Sequence, residues 1–575
     1  MNKYLNLISI SLILSGCQAL APERNQSAND TDATAATQIS RPAESIADFS
    51  SDTLISLLTA EIAGQRDRFD IASDNYSEQA QITGDPGVAE RAFRIAEYLG
   101  EDHRALSSAL IWANTAPDNI EAQRSAAIQL AQAQRYDEAM QRMEIVLLAN
   151  GETQFDFLAL SAAQSDRRTI QALLQSFDRL LAKHPQNQQL IFSKAVLLNQ
   201  DERTLDALHL LEKQPKKNAV VATILLRARL RSQLDRGEEA LPLLRNALKK
   251  HPEDNRLRIT YARQFIELNR LEEARAEFLE LLQQLPYDDD LRFSLALINM
   301  DLGAWLEAQA YLEDLIIRGS HTNAAQYNLG RVFEELQDSE QALAAYNSVQ
   351  AGNNYLPAQQ RIIALLLSNE RLRDATIHFE QQRVLHTDLV IQLHLIEAEG
   401  LSRHGHVENA WVRINQALRQ HPNDPSLLYT RAMVADKRND LAQLEQDLRF
   451  IIAADPDNAM ALNALGYTLA DRTERLEEAR ELIEKAHQLE PDDAAITDSL
   501  GWVYYRLGDK HTAERLLREA FSAYPDAEVA AHLGEVLWQL GKHKEAQQVW
   551  NQALETQPNH PVLLETIQRL TNKDL

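Results

Sequence analysis

Between Asp493 and Pro525 the apolar positions recur at helical spacing, with no alternation at the strand period. Leu500, Gly501 and Tyr504 share one face of a first segment, Gly508 interrupts, and Ala513, Leu517 and Ala520 share one face of a second. The pattern predicts two helices joined by a tight turn and ended by Pro525, since proline halts a helix at the residue before it. Small residues at Gly501, Ala513 and Ala520 let the two helices approach, while Leu500, Tyr504 and Leu517 fill the space between units.

The unit repeats. A small residue is followed twelve positions later by another in Ala127/Ala139, Ala195/Ala207, Ala228/Ala240, Ala262/Ala274, Ala296/Ala308, Gly330/Ala342, Ala398/Ala410, Gly501/Ala513 and Gly534/Ala546. Closing prolines, from Pro117 to Pro558, stand one, two or four steps of about 34 residues apart. Such a period marks a solenoid, whose units bury their apolar faces only against their neighbours. About fifteen helix pairs fit between Asp52 and Pro558. The signature, leucine-glycine and tyrosine in one helix, then alanine, leucine, alanine and proline in the next, resembles the tetratricopeptide repeat. Asn458 to Pro491 repeats it with one extra residue near Arg472 to Arg475, and Asp526 to Pro558 repeats it again.

The resemblance implies an all-α solenoid, a right-handed superhelix of tetratricopeptide-type pairs. Repeats in 52–217 are degenerate, with Leu173 where a small residue is expected, and those in 218–558 are clearer. Arg318 to Asn323 and Gln350 to Leu356 lack the closing proline and are rich in Gly, Ser or Asn, so the array is expected to kink or flex there. Residues 559–575 read as a capping helix with Val562, Leu563, Ile567 and Leu570 on its apolar side.

The amino end is unlike the rest. Lys3, the apolar run Leu5 to Leu14, and Leu14-Ser15-Gly16-Cys17 resemble a bacterial lipoprotein signal, which implies cleavage between Gly16 and Cys17 and acylation of Cys17. Cys17 is the chain's sole cysteine, so no disulfide forms within one copy. Residues 1–16 are thus expected to be the leader. Residues 17–51, polar and poor in bulky apolar side chains, form a flexible tether that holds the array off a membrane it does not cross. Within that resemblance, Gln18 after the cysteine, where an aspartate would resemble the inner-membrane retention signal, implies the outer membrane, facing the periplasm.

A formal charge of -26 makes nucleic acid and anionic lipid surfaces poor partners for the whole molecule. No His-Glu-x-x-His or Gly-x-Ser-x-Gly motif occurs, His404-Gly405-His406 falls on an expected turn, and Gly541-Lys542 lacks the spacing of a phosphate loop. No enzyme, metal, cofactor or small-molecule substrate is therefore expected. In tetratricopeptide arrays the first helices line the concave side, which implies an inner wall of Tyr467, Trp502, Tyr505 and Trp538 for protein partners. Packing between helices is the alternative reading. Arg229, Arg263 and Arg331 each follow a small residue and form a candidate row for partner carboxylates, or else pair with Glu267, Asp301 and Glu335.

The leader, tether and long array together resemble the outer-membrane lipoprotein that partners a periplasmic carboxyl-terminal processing protease. That resemblance implies an adaptor gathering the protease and its peptidoglycan hydrolase substrates. The alternative is an assembly factor for outer-membrane barrels, pili or secretion components.

Overall fold

The structure, a computed structural model, describes residues 49–571 apart from 150, 152, 163–164 and 215–219. Gly16, Cys17, the leader and most of the expected tether lie outside the described residues. Among the described residues there are 31 helices and no strand, arranged along the chain as fifteen hairpins and a final single helix. They fall into two compact units, one ending at Tyr311 and one beginning at Leu312.

Three local signals recur in the regular hairpins. Two residues after a closing proline stands an Asp or Asn that caps the next helix: Asp254, Asp288, Asp424, Asn458 and Asp493 each accept backbone N–H bonds from the first turn. Seven residues after the small mark, the chain turns through a left-handed residue, as at Asp67, Asn269, Gly303, Asn439, Gly508 and Gly541. That conformation ends the first helix and aims the second back along it. The third signal is the small mark itself, where a Cβ on Gly501 would stand 2.7 Å from Leu517 Cγ. Glycine there sets how closely the two helices meet.

The hairpin Ala459–Arg472 and Leu476–Leu489 handles its extra residue in the turn. Seven residues after Gly466 comes Thr473, in extended rather than left-handed backbone. Its hydroxyl donates to Leu469 O at 2.7 Å and accepts from Arg475 N at 3.1 Å. Gly466 still packs against Ile483 and Ala479.

Apolar contacts run on from one hairpin to the next inside each unit, for instance from Ala127 to Leu230 in the first and from Ala398 to Leu516 in the second. Outside the core, Arg449 and Arg475 join the second helices of neighbouring hairpins through Glu478 and Glu445, at 2.5 and 2.9 Å. Among the described residues Glu397 is the most deeply buried charged side chain. Glu397, on the first helix Val390–Arg403, meets Arg383 at 2.6 Å and Arg413 at 3.5 Å.

The structure refines the sequence reading at three places. In the final helix Pro561–Thr571, Leu563 and Ile567 are buried and Leu570 is partly so, but Val562 is exposed and Thr566 takes the inward place. The weak hairpin near Leu173 consists of a short helix, Phe155–Ser161, and a long one, Arg167–Lys183, and it buries Leu173. The expected loop at Gln350 is tied down: Asn323 Nδ2 donates to Gln350 O at 3.2 Å, and Gln350 N donates to Asn323 Oδ1 at 2.9 Å.

Candidate protein-binding surface

The last three first helices, Ala459–Arg472, Ala494–Arg506 and Ala527–Gln539, carry the predicted aromatic residues. Tyr467, Trp502 and Tyr505 converge, and they do so around a residue that the aromatic pattern does not single out, His532. The Trp502 indole stacks on the His532 ring with centroids 4.2 Å apart and 22° between planes. Tyr505 lies 5.1 Å from Trp502 and Tyr467 lies 6.0 Å from His532, centroid to centroid. Trp538 sits apart, against His543 at 4.1 Å and Trp550 at 5.6 Å.

Polar bonds fix the cluster. His532 Nδ1 lies 2.9 Å from Asp498 Oδ2, with both side chains buried. Tyr467 Oη donates to Glu528 at 3.0 Å, and Tyr505 Oη donates to Glu535 at 3.0 Å. Arg569 of the final helix reaches both oxygens of Glu535, at 3.2 and 2.5 Å. Burial would push the His532 pKa down. The charge and hydrogen bond of Asp498, with Glu528 and Asp471 beyond, outweigh it and hold His532 above the ordinary histidine value. Burial first, then the neighbouring glutamates Glu528 and Glu535, push the Tyr467 and Tyr505 hydroxyls up.

Tyr467, Trp502 and Tyr505 therefore form a polar-aromatic joint between hairpins, closed at Trp502, rather than a continuous wall with Trp538. Trp502 is only 8% exposed, so packing accounts for it, while Tyr467, Tyr505 and Trp538 remain partly accessible. The sequence signal for the missed partner was the spacing of Asp498 and His532, which stand 34 residues apart, one full unit.

The arginines divide by unit. In the first, Arg229 on Val221–Gln233 is exposed and has no carboxylate within ion-pair distance among the described residues. Arg263 on Asn255–Glu267 is half-buried, and its Nε is buried without a hydrogen-bond partner. Burial pulls its pKa down and the charge of Glu267 only partly restores it. Arg331, in the second unit, donates to Asn328 Oδ1 at 3.3 Å and lies 5.9 Å from the Tyr327 ring centre.

The tetratricopeptide repeat family matches residues 233–298, and again 293–357, 429–494 and 499–561. The TPR repeat-containing protein PA4667 of Pseudomonas aeruginosa is 58% identical over 574 residues, which is 100% of this chain and 97% of that protein. Bacteriophage adsorption protein A of Escherichia coli is 33% identical over 88 residues, 15% of this chain and 9% of that protein. Among solved structures, yeast Tom70 is 14% identical with a TM-score of 0.31, covering 90% of this chain and 99% of its own. The Thermus thermophilus protein TTC0263 is 25% identical with a TM-score of 0.29, covering 32% of this chain and 97% of its own. Repeats of this kind form protein-binding scaffolds with extended faces. On its hairpin register and its near full-length match to the Pseudomonas protein, the chain belongs to the tetratricopeptide-repeat proteins.

Proposed function

We propose that the chain is a lipid-anchored, non-catalytic adaptor on the periplasmic face of the outer membrane, recruiting a carboxyl-terminal processing protease and the peptidoglycan hydrolases it cuts. The observation that carries this reading is the pairing of a lone cysteine closing Leu14-Ser15-Gly16-Cys17 with fifteen hairpins of scaffold. A single acyl chain binds membranes only marginally, so stable anchoring calls for the several chains that a lipoprotein cysteine carries. Holding protease and substrate on one scaffold raises their effective concentration without new chemistry. Arg229 and Arg263, cations without a carboxylate bound to them, are the side chains assigned to acidic groups of a partner.

A membrane-extract pull-down with residues 52–575 as bait tests the reading. Recovery of a carboxyl-terminal processing protease supports it; barrel-insertion or pilus components in its place support an assembly role and overturn it. Cys17→Ala is expected to abolish labelling by radioactive palmitate and to release the chain from the membrane fraction.

A further inference from the structure

Among the described residues nothing covers the stacking face of the first hairpin. Its small mark is Ala60, with Ala72 twelve residues on and a left-handed Asp67 seven residues on, as in later hairpins. Counted from the mark, the positions five before, two before and two after are the ones the preceding hairpin covers. They are Leu190, Ser193 and Leu197 around Ala195; Leu291, Ser294 and Ile298 around Ala296; Ile496, Ser499 and Val503 around Gly501; and Val529, His532 and Val536 around Gly534. All twelve are buried, at 6% exposure or less. Around Ala60 the same three positions are Ile55, Leu58 and Ile62, exposed to 63%, 62% and 49%.

Selection for solubility would place polar residues on a free end. Here, instead, all three are large aliphatic side chains, joined by Leu54 at 47% exposure. At 100° per residue the four lie within about a quarter to a third of the helix circumference, with no charged residue among them. The opposite end of the chain shows the contrast, because Pro561–Thr571 closes it with Leu563, Thr566 and Ile567 buried.

We infer that Ser51–Gly64 is a docking site for an amphipathic helix of another protein, which stacks there as the preceding hairpin does elsewhere. Continuity with the stacking interface selects a helix as occupant. Its aliphatic residues recur at i, i+3 or i+4 and i+7, the stripe that fits such a face. The chain itself supplies no such stripe once cleaved at Cys17. Between Cys17 and Asp48 the bulky aliphatic residues are Leu20, Ile39 and Ile46, and Pro42 stands between the last two. A second copy fits poorly, since four half-exposed side chains offer on the order of 300–400 Å², against about 800 Å² per partner in a stable dimer.

The test places the photo-cross-linker p-benzoylphenylalanine at position 58 of the full chain, in cells, and sequences the adducts by mass spectrometry. The inference expects adducts within one helical segment of another protein carrying that aliphatic spacing. It also expects Ile55→Asp with Ile62→Asp to cut their yield at least tenfold while thermal unfolding of the chain stays unchanged. Adducts within residues 1–48, on a second copy, on lipid, scattered over many surfaces, or absent altogether would overturn it. The inference rests on the reading that the leader is removed at Cys17, but not on the protease assignment, on which the identity of the cross-linked protein bears separately.

Discussion

Replacing Gly534 by alanine sets two known effects against each other. In a helix interior, alanine is favoured over glycine by about 1 kcal/mol. At Gly534, however, a Cβ would enter the Trp550 indole, with Cδ1 at 2.6 Å, where carbon pairs prefer about 3.5–4.0 Å. Trp550 is 2% exposed and packed on Trp538, and its Nε1 would lie nearer the new Cβ than Cδ1 does, so the ring has to move by about 1.5 Å inside a filled core. Overpacking costs about 1–3 kcal/mol, and a rigid bicyclic ring belongs at the upper end. The net expectation is a loss of about 2 kcal/mol, or roughly 30-fold in hydrogen-exchange protection across Ala527–Gln539 and His543–Thr556. Trp550→Ala alone should cost about 3–5 kcal/mol. In that background Gly534→Ala should turn stabilising by about 1 kcal/mol, a coupling near 3 kcal/mol. If Gly534→Ala raises protection while Trp550 is intact, or if the two changes simply add, the close approach does not set the helix spacing.

Other expectations follow from the buried charges and the tied loop. Because the folded pKa of His532 is raised, its stabilisation is complete below the unfolded value near 6.5 and is lost as pH climbs through the folded value. Hydrogen exchange of the last hairpins should therefore speed up on the alkaline side, and Asp498→Asn should flatten that dependence while costing about 3–5 kcal/mol. Glu397→Ala strands the buried Arg383, while Arg413 keeps Glu380 at 3.0 Å, so local stability of Val390–Arg403 should drop by about 3 kcal/mol by the same measurement. Asn323→Ala removes both bonds to Gln350 and should cost about 1–2 kcal/mol, seen as faster exchange at residues 348–354 with the neighbouring helices unchanged.

The hairpins were legible because one register carries three signals at once. Gly501 with Leu517, the cap at Asp493 and the turn at Gly508 all follow from positions counted along one unit. The candidate site was less legible, because residues facing between units meet partners about 34 positions away. Trp502 read as a surface anchor because nothing near it in sequence announces that His532 covers it. Val562 misled for a related reason. A valine at the start of a helix looks inward by composition, but the three-residue spacing Leu563, Thr566 fixes the buried side, and threonine serves there. Near Leu173 no small mark exists to count from, so the unequal helix lengths were hidden.

The turn at Thr473 shows where such a chain can change length. An added residue inside a helix rotates everything beyond it by 100°, turning a sealed face to water. The same residue placed between the helices is absorbed by one threonine hydroxyl, and Gly466 keeps its neighbours. The bend is thus a place where a regular hairpin takes up a change of length without turning a packed face, which lets the array be extended without being re-cut.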